Sequence, residues 1–182
     1  MTHALIDRRQ CLRQLGALGA LSVSQPGLAA ESGATRYLPT PKGKVVLSVS
    51  GLVSRTNAPG RADFDLDMLA ALPQRQLVTR TPWHQGPQTF TGPLLRDVLA
   101  EAGARGQHLI AVALNDYRCE IPWEDAERFE VVLARLLNGE PMRVRDKGPL
   151  FIVYPYDADP RLRSDRYYAR SAWQLRSLIV RS

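Results

Sequence analysis

Hydrophobic and polar positions along this chain change their period many times over short distances, the pattern of a fold built from many small elements. The clearest helical stretch follows Thr91-Gly92-Pro93. Leu94, Leu95, Val98, Leu99 and Ala102 recur at the spacing that lines one helix face, and Gly103 ends the run. Thr91 is the expected N-cap, because its hydroxyl can accept from the first-turn backbone N–H groups. A shorter helix is expected over Asp65 to Leu72, with acidic residues at its start and Pro73 as its stop.

The other apolar runs read as strands. Lys44 to Val53 is rich in β-branched residues, and Arg75 to Thr81 is a second candidate. His108 to Leu114 is nearly continuous in apolar residues, hence a buried strand, which Asn115-Asp116 turns towards Arg118–Pro122. Val131 to Leu137 and Pro149 to Tyr154 follow, with Asn138-Gly139 as the turn signal between them. Gln174 to Val180 closes the pattern with Leu175, Leu178 and Val180 on one face. Many short strands and few helices predict a single α+β domain, dominated by mixed β-sheet, over residues 44–182. Residues 31–43 are expected to form a polar, proline-bearing lead-in that packs loosely.

Residues 1–30 read as an export signal. Arg8, Arg9 and Arg13 form its basic region, Leu15 to Val23 its short apolar stretch, and Gly27-Leu28-Ala29-Ala30 its small-residue cleavage site. Arg8-Arg9-Gln10-Cys11-Leu12-Arg13 also resembles a twin-arginine motif, with Asp7 where serine or threonine is usual; general secretion is the alternative. The expected location is periplasmic. Past the signal, no apolar run is long enough for a transmembrane helix. The formal charge of +6 includes +2 from this segment, and the remaining basic residues are scattered among acids apart from Arg161–Arg176. Such a surface is expected to bind no nucleic acid.

With Cys11 removed, Cys119 is the only cysteine left, so no internal disulfide can form. Alternation places Cys119 and Ile121 on one face and Arg118 and Glu120 on the other, which favours a buried, inert thiol over a functional one. Histidines stand at 3, 84 and 108 without metal-ligand spacing, and the chain contains no HExxH, CxxC, GxSxG, P-loop or GxGxxG. Aromatic and hydrogen-bonding residues gather in expected loops instead. Trp83 and His84 lie between Pro82 and Gly86, and Asn115, Asp116 and Tyr117 lie at a strand end. Arg145, Asp146 and Lys147 precede one strand, and Tyr168, Arg170, Ser171 and Trp173 precede the last.

Four of these stretches, in order, resemble the molybdopterin-binding domain of the sulfite oxidase family. They are Thr91-Gly92-Pro93-Leu94-Leu95-Arg96-Asp97-Val98-Leu99, Asn115-Asp116-Tyr117, Asp146-Lys147-Gly148-Pro149-Leu150 and Arg170-Ser171-Ala172-Trp173. The resemblance implies a sheet-rich sulfite-oxidase fold whose loops enclose a pterin-type cofactor. It implies ligand contacts from Arg80, Trp83, His84, Asn115, Asp116, Tyr117, Lys147, Arg170, Ser171 and Trp173. A pterin's amino edge can donate to a carboxylate, its carbonyl can accept from arginine or asparagine, and its faces stack on aromatic rings.

One departure bears on chemistry. The family's enzymes hold molybdenum through a cysteine near the position of Arg80 to His84, and Thr79-Arg80-Thr81-Pro82-Trp83-His84-Gln85-Gly86-Pro87 contains none. In size, export signal and missing cysteine the chain is similar to small periplasmic pterin-binding regulators of the PruR type. That likeness implies a non-catalytic protein that binds a reduced pterin without molybdenum and reports to the periplasmic region of a membrane-bound cyclic-di-GMP enzyme. Two alternatives stand beside it. One is a molybdenum cofactor-dependent oxidoreductase with Cys119 or another group as an unusual metal ligand; the other is an interaction module that binds no small molecule.

Overall fold

The computed structural model describes residues 38–182, so the export-signal reading and the first part of the lead-in lie outside the described residues. The elements in chain order are β1 (Leu47–Gly51), β2 (Arg61–Phe64), α1 (Leu66–Ala71), β3 (Gln74–Arg80), β4 (Pro87–Pro93), α2 (Leu95–Glu101), β5 (His108–Ala113) and β6 (Arg118–Pro122). Then come α3 (Trp123–Arg128), β7 (Val132–Ala134), β8 (Leu136–Leu137), β9 (Glu140–Pro141), β10 (Phe151–Val153), α4 (Asp165–Arg170) and β11 (Leu175–Arg181). Among the described residues no helix is long and apolar enough to cross a membrane.

Three sheets result. A five-stranded sheet runs β2-β1-β11-β5-β6, a four-stranded sheet runs β3-β4-β8-β9, and β10 pairs with β7. Among the described residues only β1 and β11 pair in parallel, which makes the large sheet mixed. Alternation on its strands sends Leu47, Val49, Leu109, Ala111, Leu178 and Val180 into the core. Fully buried β7 and β10 lie deeper, and Leu95, Val98 and Leu99 of α2 close over the same core. The α+β, sheet-rich expectation therefore describes this chain.

Several boundaries differ for physical reasons. Thr91 does not cap α2. Thr91-Gly92-Pro93 belong to β4, paired with Gln76, Arg75 and Gln74, and the helix starts one turn later from Leu94 without a side-chain cap. Gly92 is required there for space: a Cβ would overlap the Leu133 carbonyl as β4 crosses β7. The strand expected from Lys44 shortens to β1, which ends at Gly51 with φ of 86° against Val180. Val131 to Leu137 divides into β7 and β8, and Asn138-Gly139 turns β8 into β9 rather than towards β10. Leu38 is buried, and the Lys42 and Gly43 amides both donate to the Asp65 carboxylate at 2.8 Å, so this part of the lead-in packs firmly. The same carboxylate caps α1 through the Met68 amide, and these backbone donors, Gly43 first, hold it below the usual aspartate range.

The Gly92 crossing gives the first prediction. Gly92→Ala should destabilise the fold by ~3 kcal/mol through overpacking against backbone, read as a lowered urea midpoint with unchanged slope. The exposed control Gly139→Ala has open space around it but a φ of 87°, so its smaller loss separates strain from overlap.

Candidate functional site

The β3–β4 turn, the β5–β6 turn, and the end of α4 with the residues that follow it converge on a cavity of about 300 Å³. Five of the residues expected from sequence line it: Trp83, Asn115, Tyr117, Ser171 and Trp173. Tyr168 completes the aromatic wall from α4. That helix was not expected, although Asp165 in its first turn and Arg170 in its last are a readable charge pattern.

The rings are locked edge to face. Trp83 stands 5.2 Å from Trp173 at 76° and 5.9 Å from Tyr168 at 77°, and it also meets Phe151 in a T-shaped contact. Lys147 holds its ammonium 5.4 Å from the Trp173 ring centroid, a cation–π contact on the indole. The Tyr117 hydroxyl donates to the Ala169 carbonyl at 2.8 Å, tying the β5–β6 turn to α4. Asn115 accepts from the Tyr117 amide. The Ser171 hydroxyl donates to the Tyr167 carbonyl and meets the buried Tyr156 hydroxyl, so its hydrogen bonds are spent within the protein. Burial pushes the Tyr156 phenol well above its ordinary range, keeping it neutral. The result is a mostly aromatic slot with few free polar groups.

Five other expected residues stand outside the lining. Arg80 is exposed and faces Asp157 at 3.5 Å. His84 brings Nδ1 to 2.7 Å from the Thr81 hydroxyl and packs against Phe90. Burial, and then the positive charge of Lys147, keep His84 below the usual histidine range and hence neutral. Asp116 sits in a left-handed turn and pairs with Arg176 at 2.5 Å. Lys147 is not in the lining and meets it through its cation–π contact with Trp173. Arg170 turns inwards, 2.9 Å from Asp125, whose carboxylate also accepts from the Tyr154 hydroxyl at 2.8 Å. The basic stretch 161–176 is largely compensated, since Arg161, Arg163, Arg170 and Arg176 each face an aspartate.

Cys119 is half-buried beside the core, with Sγ 3.7 Å from the Arg170 carbonyl, and it does not line the cavity. Burial pushes its thiol up to about 11, against the opposing charge of Arg170. A soft metal is served by a thiolate, and the cavity lining contributes none. Among the described residues no group of three or more His, Cys, Asp or Glu side chains could hold a metal ion. The lining therefore fits a flat aromatic ring and does not fit molybdenum held through a cysteine.

Two measurements test this electrostatic layout. Iodoacetamide should alkylate Cys119 in the folded protein roughly 100-fold more slowly than a free cysteine at pH 8, because the thiolate fraction sets the rate. Arg170→Met should cost ~3 kcal/mol in denaturant unfolding by stranding the Asp125 carboxylate, and Asp125→Asn beside it should recover part of that loss.

Comparison with known proteins bears on the family and the fold. The family model described as "Oxidoreductase molybdopterin binding domain" matches residues 39–157. The match ends before α4 and β11, so Tyr168, Ser171 and Trp173 lie beyond it. The crystal structure of the sulfane dehydrogenase SoxCD from Paracoccus pantotrophus superposes with a TM-score of 0.56 at 21% identity, over 74% of this chain and 37% of that chain. At that identity the likeness concerns the fold, and this chain spans well under half of the protein it resembles. No curated protein sequence matches. The matched span and the sheet-rich architecture together place the chain in the oxidoreductase molybdopterin-binding domain family.

Proposed function

We propose that this protein binds a reduced pterin in the aromatic cavity and works as a non-catalytic ligand sensor without molybdenum. The observation that carries the reading is the composition of the cavity wall: Trp83, Tyr117, Tyr168 and Trp173 offer ring faces and edges, and no thiol reaches it. A volume of about 300 Å³ sits at the small end of ligand sites, suited to a bicyclic ring more than to a long nucleotide-bearing cofactor. Exposed edges of the ring would meet Asn115 and backbone groups of the β5–β6 turn. With the export-signal reading of residues 1–30, the site of action is the periplasm. The listener would be the periplasmic region of a membrane-bound signalling protein such as a cyclic-di-GMP enzyme.

A second reading is supported by the family itself, whose model is described as an oxidoreductase domain. In it the chain carries molybdenum cofactor and performs redox chemistry, with the metal held by something other than a lining cysteine.

Protein purified from its native compartment decides between them. Metal analysis should find no molybdenum, and denaturation should release a compound with oxidised-pterin fluorescence. Molybdenum near one per chain would establish the enzyme instead. Trp173→Ala should weaken binding of dimethyltetrahydropterin about ten-fold, as expected for loss of one stacking aromatic, measured by quenching of the remaining indole fluorescence.

A further inference from the structure

A second concavity, a cleft of about 720 Å³, lies apart from the aromatic cavity. Its lining includes Val45, Leu66, Leu114 and Val144, all large apolar side chains that are exposed. Three chain segments serve both concavities. In the β5–β6 turn, Leu114 faces the cleft while Asn115 and Tyr117 face the cavity. Before β10, Val144 and Pro149 line the cleft while Lys147 rests on Trp173. Before and within β11, Trp173 lines the cavity while Arg176 and Ser177 line the cleft.

Gln174 ties the three together. Its amide donates to the Lys147 carbonyl at 2.9 Å, its carbonyl accepts from the Leu114 amide at 2.8 Å, and its side-chain amide donates to the Val144 carbonyl at 2.7 Å. The backbone here is strained. Asp116, Lys147 and Gln174 have φ of 66°, 71° and 52°, a left-handed conformation sparsely populated by such residues. Only one other non-glycine residue among those described, Asn138, shares it. Each segment thus carries one left-handed residue, and hydrogen bonds through Gln174 hold all three in register.

We infer that Gln174 is a positioning residue that couples occupancy of the aromatic cavity to the geometry of the apolar cleft. The inference rests on the reading that a flat ligand enters the cavity and adds how its presence is passed on. A ligand that shifts Trp173 or Asn115 moves a residue directly adjoining Gln174 or Leu114. The shift then reaches Leu114 and Val144 through short hydrogen bonds instead of being lost in a mobile loop. By reciprocity, anything that fixes the cleft changes ligand affinity by the same factor.

The experiment follows leucine and valine methyl resonances of the folded protein during titration with dimethyltetrahydropterin, with indole quenching as an independent measure of binding. Leu114 and Val144 should shift along with saturation, whereas Leu52 and Val78, exposed elsewhere, should stay still. Gln174→Gly accepts the left-handed φ but loses the bond to Val144, and should bind within about three-fold of the parent while losing at least half of the Val144 shift. Gln174→Asn, which also tolerates that backbone, should behave alike. Indole quenching with unmoved Leu114 and Val144 methyls would overturn the coupling and leave the binding reading intact. Absence of quenching would overturn both.

Discussion

The fold and the cavity both depend on the burial of Phe151. It is fully buried in β10, and its ring lies 5.6 Å from Trp83, 5.8 Å from Phe90 and 6.2 Å from Trp173. Those neighbours come from the β3–β4 turn, from β4 and from the residues before β11. One side chain therefore joins the small sheets to the large one. Burying such a ring is worth roughly 2 kcal/mol, and each well-oriented aromatic pair adds about 1 kcal/mol. Backbone pairing reinforces the arrangement: Phe151 bridges Trp173, and the Ile152 amide donates to the Ala172 carbonyl at 3.0 Å. The cavity wall is in this sense the outer surface of the core. Trp83 and Trp173 each pack against Phe151 in a T-shaped contact and also line the slot, so the core orients both rings.

Legibility in the sequence follows the same division between core and turn. Strands β5, β6 and β11 announce themselves through apolar runs or alternation, because at least one face of each packs inwards. Strand β4 was hidden. Thr89-Phe90-Thr91-Gly92-Pro93 has β-type residues, but Gly92-Pro93 looks like a helix opening when its neighbours are unknown. The close approach of Leu133 that demands glycine is visible only in three dimensions. Strand β2 and helix α3 were hidden for a related reason. Arg61–Phe64 and Trp123–Arg128 are short and charged, and they owe their form to partners, β1 for the strand and β5 and β6 for the helix.

At the site, the motifs singled out in the sequence lie on loops that converge on one cavity, but their order does not assign side-chain direction. Arg170 and Ser171 illustrate the limit. Both stand at the end of α4; Ser171 lines the cavity while Arg170 runs back to Asp125. A guanidinium beside the cavity invites a ligand-contact role, yet the buried Asp125 carboxylate, which also accepts from the Tyr154 hydroxyl, would lose its counter-charge without it. Desolvating that carboxylate alone is costly, so the helix end is built around the ion pair. Arg170 thereby fixes the stretch that carries Tyr168 and Ser171, and acts on the cavity only through them.

The chemistry open to the site follows from which atoms are free to act. Tyr156, Ser171, Tyr117 and Arg170 all have hydrogen-bonded partners inside the protein, His84 is held neutral against Thr81, and Cys119 is a thiol bonded to a backbone carbonyl. None is arranged as a nucleophile beside a base, and none offers a soft anionic donor to a metal. What the cavity does offer is aromatic rings packed against the core. To the proposed ligand such a wall would offer shape and polarisability more than charge. In stretch 80–84, where the family's enzymes are expected to present sulfur, the side chain that reaches the slot is Trp83. Under the proposed reading, an indole in that stretch would make the loop a stacking surface in place of a redox anchor, with the family fold retained.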